Sequence, residues 1–117
     1  MATRDYSDKQ EKVVAEYLGG TKTQNSGANP FKKWDVITKD TLIECKTKTK
    51  EVTNHSIKKE WIDTLKRECI SMGKEHWIIV FDFGTQKLQD QYVVLPISYY
   101  KELKEGYDNE WEFSINI

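Results

Sequence analysis

The first candidates for chemistry in this chain of 117 residues are three charged residues, Asp35, Glu44 and Lys46. Eight residues separate Asp35 from the segment Glu44-Cys45-Lys46. Carboxylate oxygens are hard ligands that suit a divalent ion, most simply Mg²⁺, and Mn²⁺ is expected to substitute for it. The backbone carbonyl of Cys45 is a further expected ligand. A lysine beside such carboxylates can stabilise charge that develops on a phosphate. The pattern therefore predicts metal-dependent hydrolysis of phosphodiester bonds.

Two short strands must position these residues. Residues 33–38 and 41–46 each read as a strand, and Lys39-Asp40 between them reads as a hairpin turn. Residues two apart on a strand project from one face, so Glu44 and Lys46 should lie side by side. The neighbouring residues are apolar, which indicates that the charged side chains interrupt core strands. An exposed cross-strand ion pair on a hairpin is the alternative interpretation.

A third carboxylate is predicted on an N-terminal helix. Ser7 and Gln10 have the spacing of a capping box, and the helix is expected to run from 7 to 18. Glu11 lies three residues before Val14 on the apolar stripe, so its side chain should point inward. A carboxylate in that position needs a cationic partner. Glu11 is therefore predicted to join the same metal site.

The remaining pattern predicts a single domain, 1–117, of the mixed α/β (α+β) class. The expected core is a central mixed β-sheet flanked by helices. The further predicted elements are a loop over 21–30, a helix over 56–72, strands over 76–83 and 91–95, a short helix over 98–103 and an edge strand over 111–117.

Charge is unevenly distributed along the chain. Residues 22–59 carry nine lysines against four acidic residues, a net of +5, whereas residues 60–117 carry a net of −5. The basic block coincides with the candidate site, which is the polarity that a phosphate-binding face needs. DNA contacts are predicted from the following lysines, although solvated surface charge is the alternative: Lys48, Lys50, Lys58 and Lys59.

The chain shows no sign of a membrane or of an oxidising environment. The longest apolar run, residues 77–81, is too short to cross a bilayer, and the first seven residues are too polar for a signal peptide. Two cysteines without metal-binding spacing suit a reducing setting. We therefore expect a cytoplasmic protein, in the host cytoplasm if a phage encodes it. The lone histidines His55 and His76 are expected to have structural roles.

The sequence resembles the PD-(D/E)xK nuclease superfamily, and within it the small archaeal-type and phage Holliday-junction resolvases. The resemblance covers roughly residues 7–83. It rests on Asp35 and Glu44-Cys45-Lys46, on the inward Glu11, and on the Asn25-Ser26-Gly27-Ala28 loop before the aspartate strand. A helix and a strongly apolar strand follow, as in those proteins. Trp34 stands where the superfamily name expects proline.

The resemblance implies a restriction-endonuclease-like core and a homodimer that nicks four-way DNA junctions. It implies that Glu11, Asp35, Glu44 and Lys46 form the catalytic site and that Ser26 contacts phosphate. Gln24, in the same polar loop, is also placed on the DNA, although both loop residues could serve only as turn formers. Residues 84–117 carry no motif of the family.

Two other functions remain open from the sequence. One is a restriction-like or phage-packaging nuclease of the same fold, for which cutting would follow DNA sequence rather than DNA shape. The other is a nucleic-acid-binding protein with a degenerate site, which would bind DNA through the basic block without cutting it.

Overall fold

A mixed β-sheet packed against helices forms the centre of the molecule. The structure is a computed structural model that describes residues 3–23 and 35–115, with side chains for 8–23 and 35–111. Within these ranges the elements in chain order are α1 (Thr3–Leu18), β1 (Thr21–Lys22), β2 (Val36–Ile37), β3 (Thr41–Lys46), α2 (Lys59–Ser71), β4 (His76–Phe81), a 3₁₀ turn (Leu88–Asp90), β5 (Tyr92–Val94) and α3 (Ile97–Ile115).

The five strands lie side by side in chain order. All neighbouring pairs are antiparallel except β3 and β4, which are parallel and are connected through α2. A parallel pair needs such a long crossover because the chain must return to the same end of the sheet. The prediction of a mixed sheet with helices is confirmed.

The central strand β3 is buried on both faces because its side chains alternate between two clusters. Ile43 and Cys45 pack with Val14 of α1. Leu42 points to the opposite face and packs with Leu65 of α2. Glu44 and Lys46 follow Leu42 at intervals of two residues, so they belong to the α2 face. This alternation places the charged residues of β3 beside α2.

The predicted strands and helices around the site are found with shifted ends. The structure has β3 at the predicted residues 41–46, with the turn at 39–40. The second helix begins at Lys59 instead of 56, and the buried strand ends at Phe81 instead of 83. A short strand, Thr21–Lys22, lies where only loop was expected. The two cysteines lie on opposite faces of the sheet and form no disulfide.

The capping-box prediction is wrong. Helix α1 begins at Thr3, so Ser7 lies inside the helix rather than at its N-terminus. Gln10 is fully buried, and its amide bonds to the sheet rather than to the start of the helix. The inward direction predicted for Glu11 is confirmed, because this residue is only 7% exposed.

The predicted edge strand at the C-terminus is also wrong, because α3 continues from Ile97 to Ile115. The alternation of apolar and polar residues after position 110 suggested a strand. A second pattern overrides it: Tyr100, Leu103, Tyr107 and Trp111 recur at the spacing of one helical face.

No helix within the described ranges is long and apolar enough to cross a membrane.

A close backbone contact holds the basic loop after β3 against the end of β4. Gly84 has a φ of +114°, and a Cβ added there would overlap the carbonyl of Lys50. The neighbouring Val52 N–H donates to the carbonyl of Phe83 at 2.9 Å. Only glycine fits this position, since both the backbone angle and the space exclude a side chain.

We expect Gly84→Ala to destabilise the fold by about 3 kcal/mol or more, because strain and a backbone collision coincide. Gly73→Ala is the matched control: its φ is +66°, but an added Cβ would meet nothing within 4 Å. Strain alone should cost that variant about 1–2 kcal/mol. Urea denaturation measures both values, and equal losses would contradict the contact between Gly84 and Lys50.

Candidate functional site

Asp35 and the end of β3 are joined by a direct hydrogen bond. The N–H of Cys45 donates to Asp35 Oδ2 at 2.8 Å, and the N–H of Asp35 donates to the carbonyl of Ile43 at 3.0 Å. The Asp35 carboxylate thus contacts the residue that lies between Glu44 and Lys46. Residues nine to eleven positions apart in the chain are brought together in this way.

Glu44 and Lys46 form an ion pair on the α2 face of β3. Lys46 Nζ lies 3.6 Å from Glu44 Oε2, and the two side chains are 28% and 20% exposed. Charges with so little water around them are costly unless they are paired. The exposed ion pair considered from the sequence does not fit this environment, because the pair sits on a strand whose other side chains are core.

Trp61 supplies a second partner for the Lys46 ammonium. The Lys46 ammonium lies 4.3 Å from the centroid of the Trp61 ring, and the Lys58 ammonium lies 5.9 Å from it. A cation over an indole ring is stabilised by about 0.5–2 kcal/mol. We call Asp35, Glu44, Lys46 and Trp61 the β3 cluster. The sequence alone does not assign Trp61 to the site, because its position on α2 does not reveal which cations approach it.

Gln10 connects α1 to the strand end beside this cluster. Its Nε2 donates to the carbonyl of Lys46 at 2.9 Å and to Oε1 of Gln91 at 3.0 Å. Gln91 in turn donates to Asp82 at 2.7 Å, and Asp82 is fully buried. The sequence analysis missed this network. The available signal was Gln10 itself, a polar residue four positions before Val14 on the inward stripe.

Glu11 lies on α1 directly after Gln10, so its backbone is close to the end of β3. Glu11 is buried on α1, next in sequence to the residue that bonds the end of β3. The ion pair of Asp8 with Lys22 at 3.0 Å holds the same helix beside β1. A shared metal site with Asp35 and Glu44 remains a prediction for Glu11, as does the role of the Cys45 carbonyl.

The predicted DNA contacts have different surroundings. Lys58 lies beside the β3 cluster, whereas the Lys59 ammonium donates to both carboxylate oxygens of Asp63 and lowers the pKa of that carboxyl. Lys48 is half-buried and Lys50 is exposed on the loop after β3. Gln24 and Ser26 lie outside the described residues.

A second group of potential metal ligands lies at the other end of the sheet. Ligand atoms of Asp40, Glu75 and His76 fall within 4.8 Å of one another. The Thr41 hydroxyl donates to Asp40 at 2.9 Å and lowers the pKa of that carboxyl, partly opposed by burial. We call Asp40, Glu75 and His76 the hairpin cluster; six residue steps of extended chain, about 20 Å, separate its Asp40 from Lys46. The sequence analysis missed it because its members come together only when β3 pairs with β4.

No family model matches this chain, and no similar protein is found among curated proteins or solved structures. The arrangement of its own residues therefore has to carry any functional argument.

We expect Gln10→Leu to lower the free energy of unfolding by about 1–3 kcal/mol, because buried partners on β3 and Gln91 lose a donor. Lys9→Leu is the matched control on the exposed side of α1 and should change stability by less than about 0.5 kcal/mol. Chemical denaturation monitored by circular dichroism measures both. Equal stabilities for the two variants would mean that the Gln10 network contributes nothing.

Proposed function

We propose that this protein is a metal-dependent endodeoxyribonuclease that hydrolyses phosphodiester bonds at the β3 cluster. One observation carries the proposal: the Asp35 carboxylate is bound to the Cys45 amide, between Glu44 and Lys46. Two carboxylates and a lysine thereby meet at one strand end. Charged residues that break the pattern of a core strand are expected where a protein gives up stability for function.

The residues of the cluster fit a hard divalent cation. Asp35 and Glu44 would hold Mg²⁺ or Mn²⁺ through carboxylate oxygens, with Glu11 and the carbonyl of Cys45 as further ligands. When bound, the ion would polarise the phosphate and acidify a bound water. Lys46 would stabilise the added negative charge of the phosphate during attack. Its contacts with Glu44 and Trp61 hold the ammonium in place for that role.

Basic residues beside the cluster support DNA as the substrate. The Lys58 ammonium lies 5.9 Å from the centroid of the Trp61 ring, and the loop with Lys48 and Lys50 follows β3 directly. Lysines neutralise backbone phosphates and give affinity without sequence preference. Recognition by DNA shape therefore suits this surface better than reading of base edges.

Within this function we propose a four-way junction as the substrate and a homodimer as the active form, in the manner of Holliday-junction resolvases. The mixed sheet with helices on its faces supports the restriction-endonuclease-like core that this resemblance implies. Two symmetric cuts need two sites related by a two-fold axis. A reducing cytoplasmic location is part of the same proposal.

We expect Glu44→Gln and Lys46→Met each to reduce Mg²⁺-dependent cleavage of a labelled four-way junction at least about a hundredfold, because each removes charge from the reacting centre. Both substitutions keep the shape of the side chain, so circular dichroism should show an unchanged fold. Glu75→Gln, in the hairpin cluster, is the matched control and should cut like the wild type.

The outcomes separate the alternatives. Loss of cleavage in Glu75→Gln but not in Glu44→Gln would move the active site to the hairpin cluster. Equal cutting of linear duplex and junction would remove the resolvase assignment and leave a nuclease. Cutting at defined sequences would indicate a restriction-like or packaging nuclease. Binding of DNA without cleavage of any DNA in Mg²⁺ or Mn²⁺ would leave a non-catalytic DNA-binding protein.

We expect Lys58→Met to weaken DNA binding and to reduce the slope of log K against log salt by about one, as the loss of one phosphate contact does. Lys59→Met should have a smaller effect because Asp63 already neutralises that ammonium at 2.9 Å. Fluorescence anisotropy at several salt concentrations measures both slopes. A larger effect for Lys59 than for Lys58 would contradict the proposed DNA-binding face.

A further inference from the structure

The C-terminal helix α3 is attached to the sheet near its beginning. The Tyr99 ring stacks on His76 with centroids 3.7 Å apart, and Glu102 lies 3.7 Å from His76 Nε2. Beyond that turn every described side chain up to Trp111 is exposed, except the half-buried Asp108. The part of α3 after Glu102, residues 103–115, is short enough that it would be only marginally helical on its own in water, and most helices in proteins depend on packing of an apolar face.

α3 carries such an apolar face, but the described part of the chain does not cover it. Tyr100, Leu103, Tyr107 and Trp111 lie on one side of the helix and are 57%, 53%, 64% and 55% exposed. We call these four residues the α3 stripe. A continuous apolar patch on a projecting helix is typical of a protein-protein interface.

We propose that the α3 stripe packs against the α3 stripe of a second copy of this chain, with the two helices antiparallel about a two-fold axis. This proposal does not rest on the nuclease assignment, because it concerns only α3. An isologous contact of this kind closes on itself and gives a dimer.

The charges beside the stripe favour a second copy as the occupant. Lys104 Nζ and Asp108 Oδ1 lie 2.8 Å apart, so both groups flank the same side of the stripe. In an antiparallel pair of α3 helices with the two-fold axis near Gly106, the same side of the stripe in each copy faces the other copy. Residues at equal distances before and after position 106 are then opposite each other. Lys104 then faces Asp108 of the partner subunit, and the reciprocal pair forms by symmetry.

The size of the stripe is sufficient for a weak specific dimer. Aromatic side chains can bury about 150–250 Å² each. With more than half of each residue exposed, the four residues offer about 400–500 Å² per copy. The pair would bury about 1,000 Å², close to the lower bound for specific interfaces. We therefore expect a dimer that forms at micromolar concentrations.

Charge-reversed variants of the full chain test this pairing by analytical ultracentrifugation without DNA. Lys104→Asp and Asp108→Lys should each raise the dimer dissociation constant by roughly tenfold or more, because like charges then face each other twice. An equimolar mixture of the two variants should restore a dimer that contains one copy of each. Charge effects within a single helix cannot produce that recovery.

Tyr107→Ser should also dissociate the dimer, whereas Ile70→Ser, at an equally apolar but separate exposed position on α2, should not. Circular dichroism of each variant checks that α3 remains helical. The proposal is overturned if the wild-type chain stays monomeric at concentrations of hundreds of micromolar. A dimer that is unchanged by both charge reversals, or a mixture without mixed dimers, would overturn it as well.

Discussion

The central strand β3 constrains everything around it. It is hydrogen-bonded to β2 on one side and to β4 on the other, and helices cover both of its faces. A strand held in this way has almost no freedom to move. Side chains that project from its end therefore have fixed directions, which is the condition under which charged groups can be positioned for chemistry. Glu44 and Lys46 occupy that end.

The charges on β3 reduce the stability that this strand could otherwise provide. An apolar pair of similar size would pack on α2 without the loss of hydration that a poorly exposed ion pair incurs. The structure compensates through several weak partners: the Trp61 ring beside the Lys46 ammonium, the Gln10 amide on the Lys46 carbonyl, and the Asp35 carboxylate on the Cys45 amide. Such support limits side-chain movement, and this is the property that an active site needs.

The sequence was most informative where local pattern and burial agree. The bounds of β3, the inward side of Glu11 and the pairing of Glu44 with Lys46 follow from periodicities of two and 3.6 residues. Trp61 and Gln10 could not be assigned to the site, because their roles depend on partners 15 and 36 residues away. The C-terminal tail was wrongly predicted to be a strand because its alternation of apolar and polar residues overlaps a longer helical repeat. That repeat begins at Tyr100, and α3 continues through it to Ile115.

The bond between Asp35 and the Cys45 amide has one more consequence, which concerns strand alignment. β2 is only two residues long, so few backbone bonds fix its alignment with β3. A slip of one residue would turn Val36 outward and would also separate the Asp35 carboxylate from its donor. The hydrogen bond of the Asp35 carboxylate therefore helps to fix the register of β2 against β3. The same hydrogen bond thus serves both the alignment of the hairpin and the placement of the Asp35 carboxylate at the end of β3.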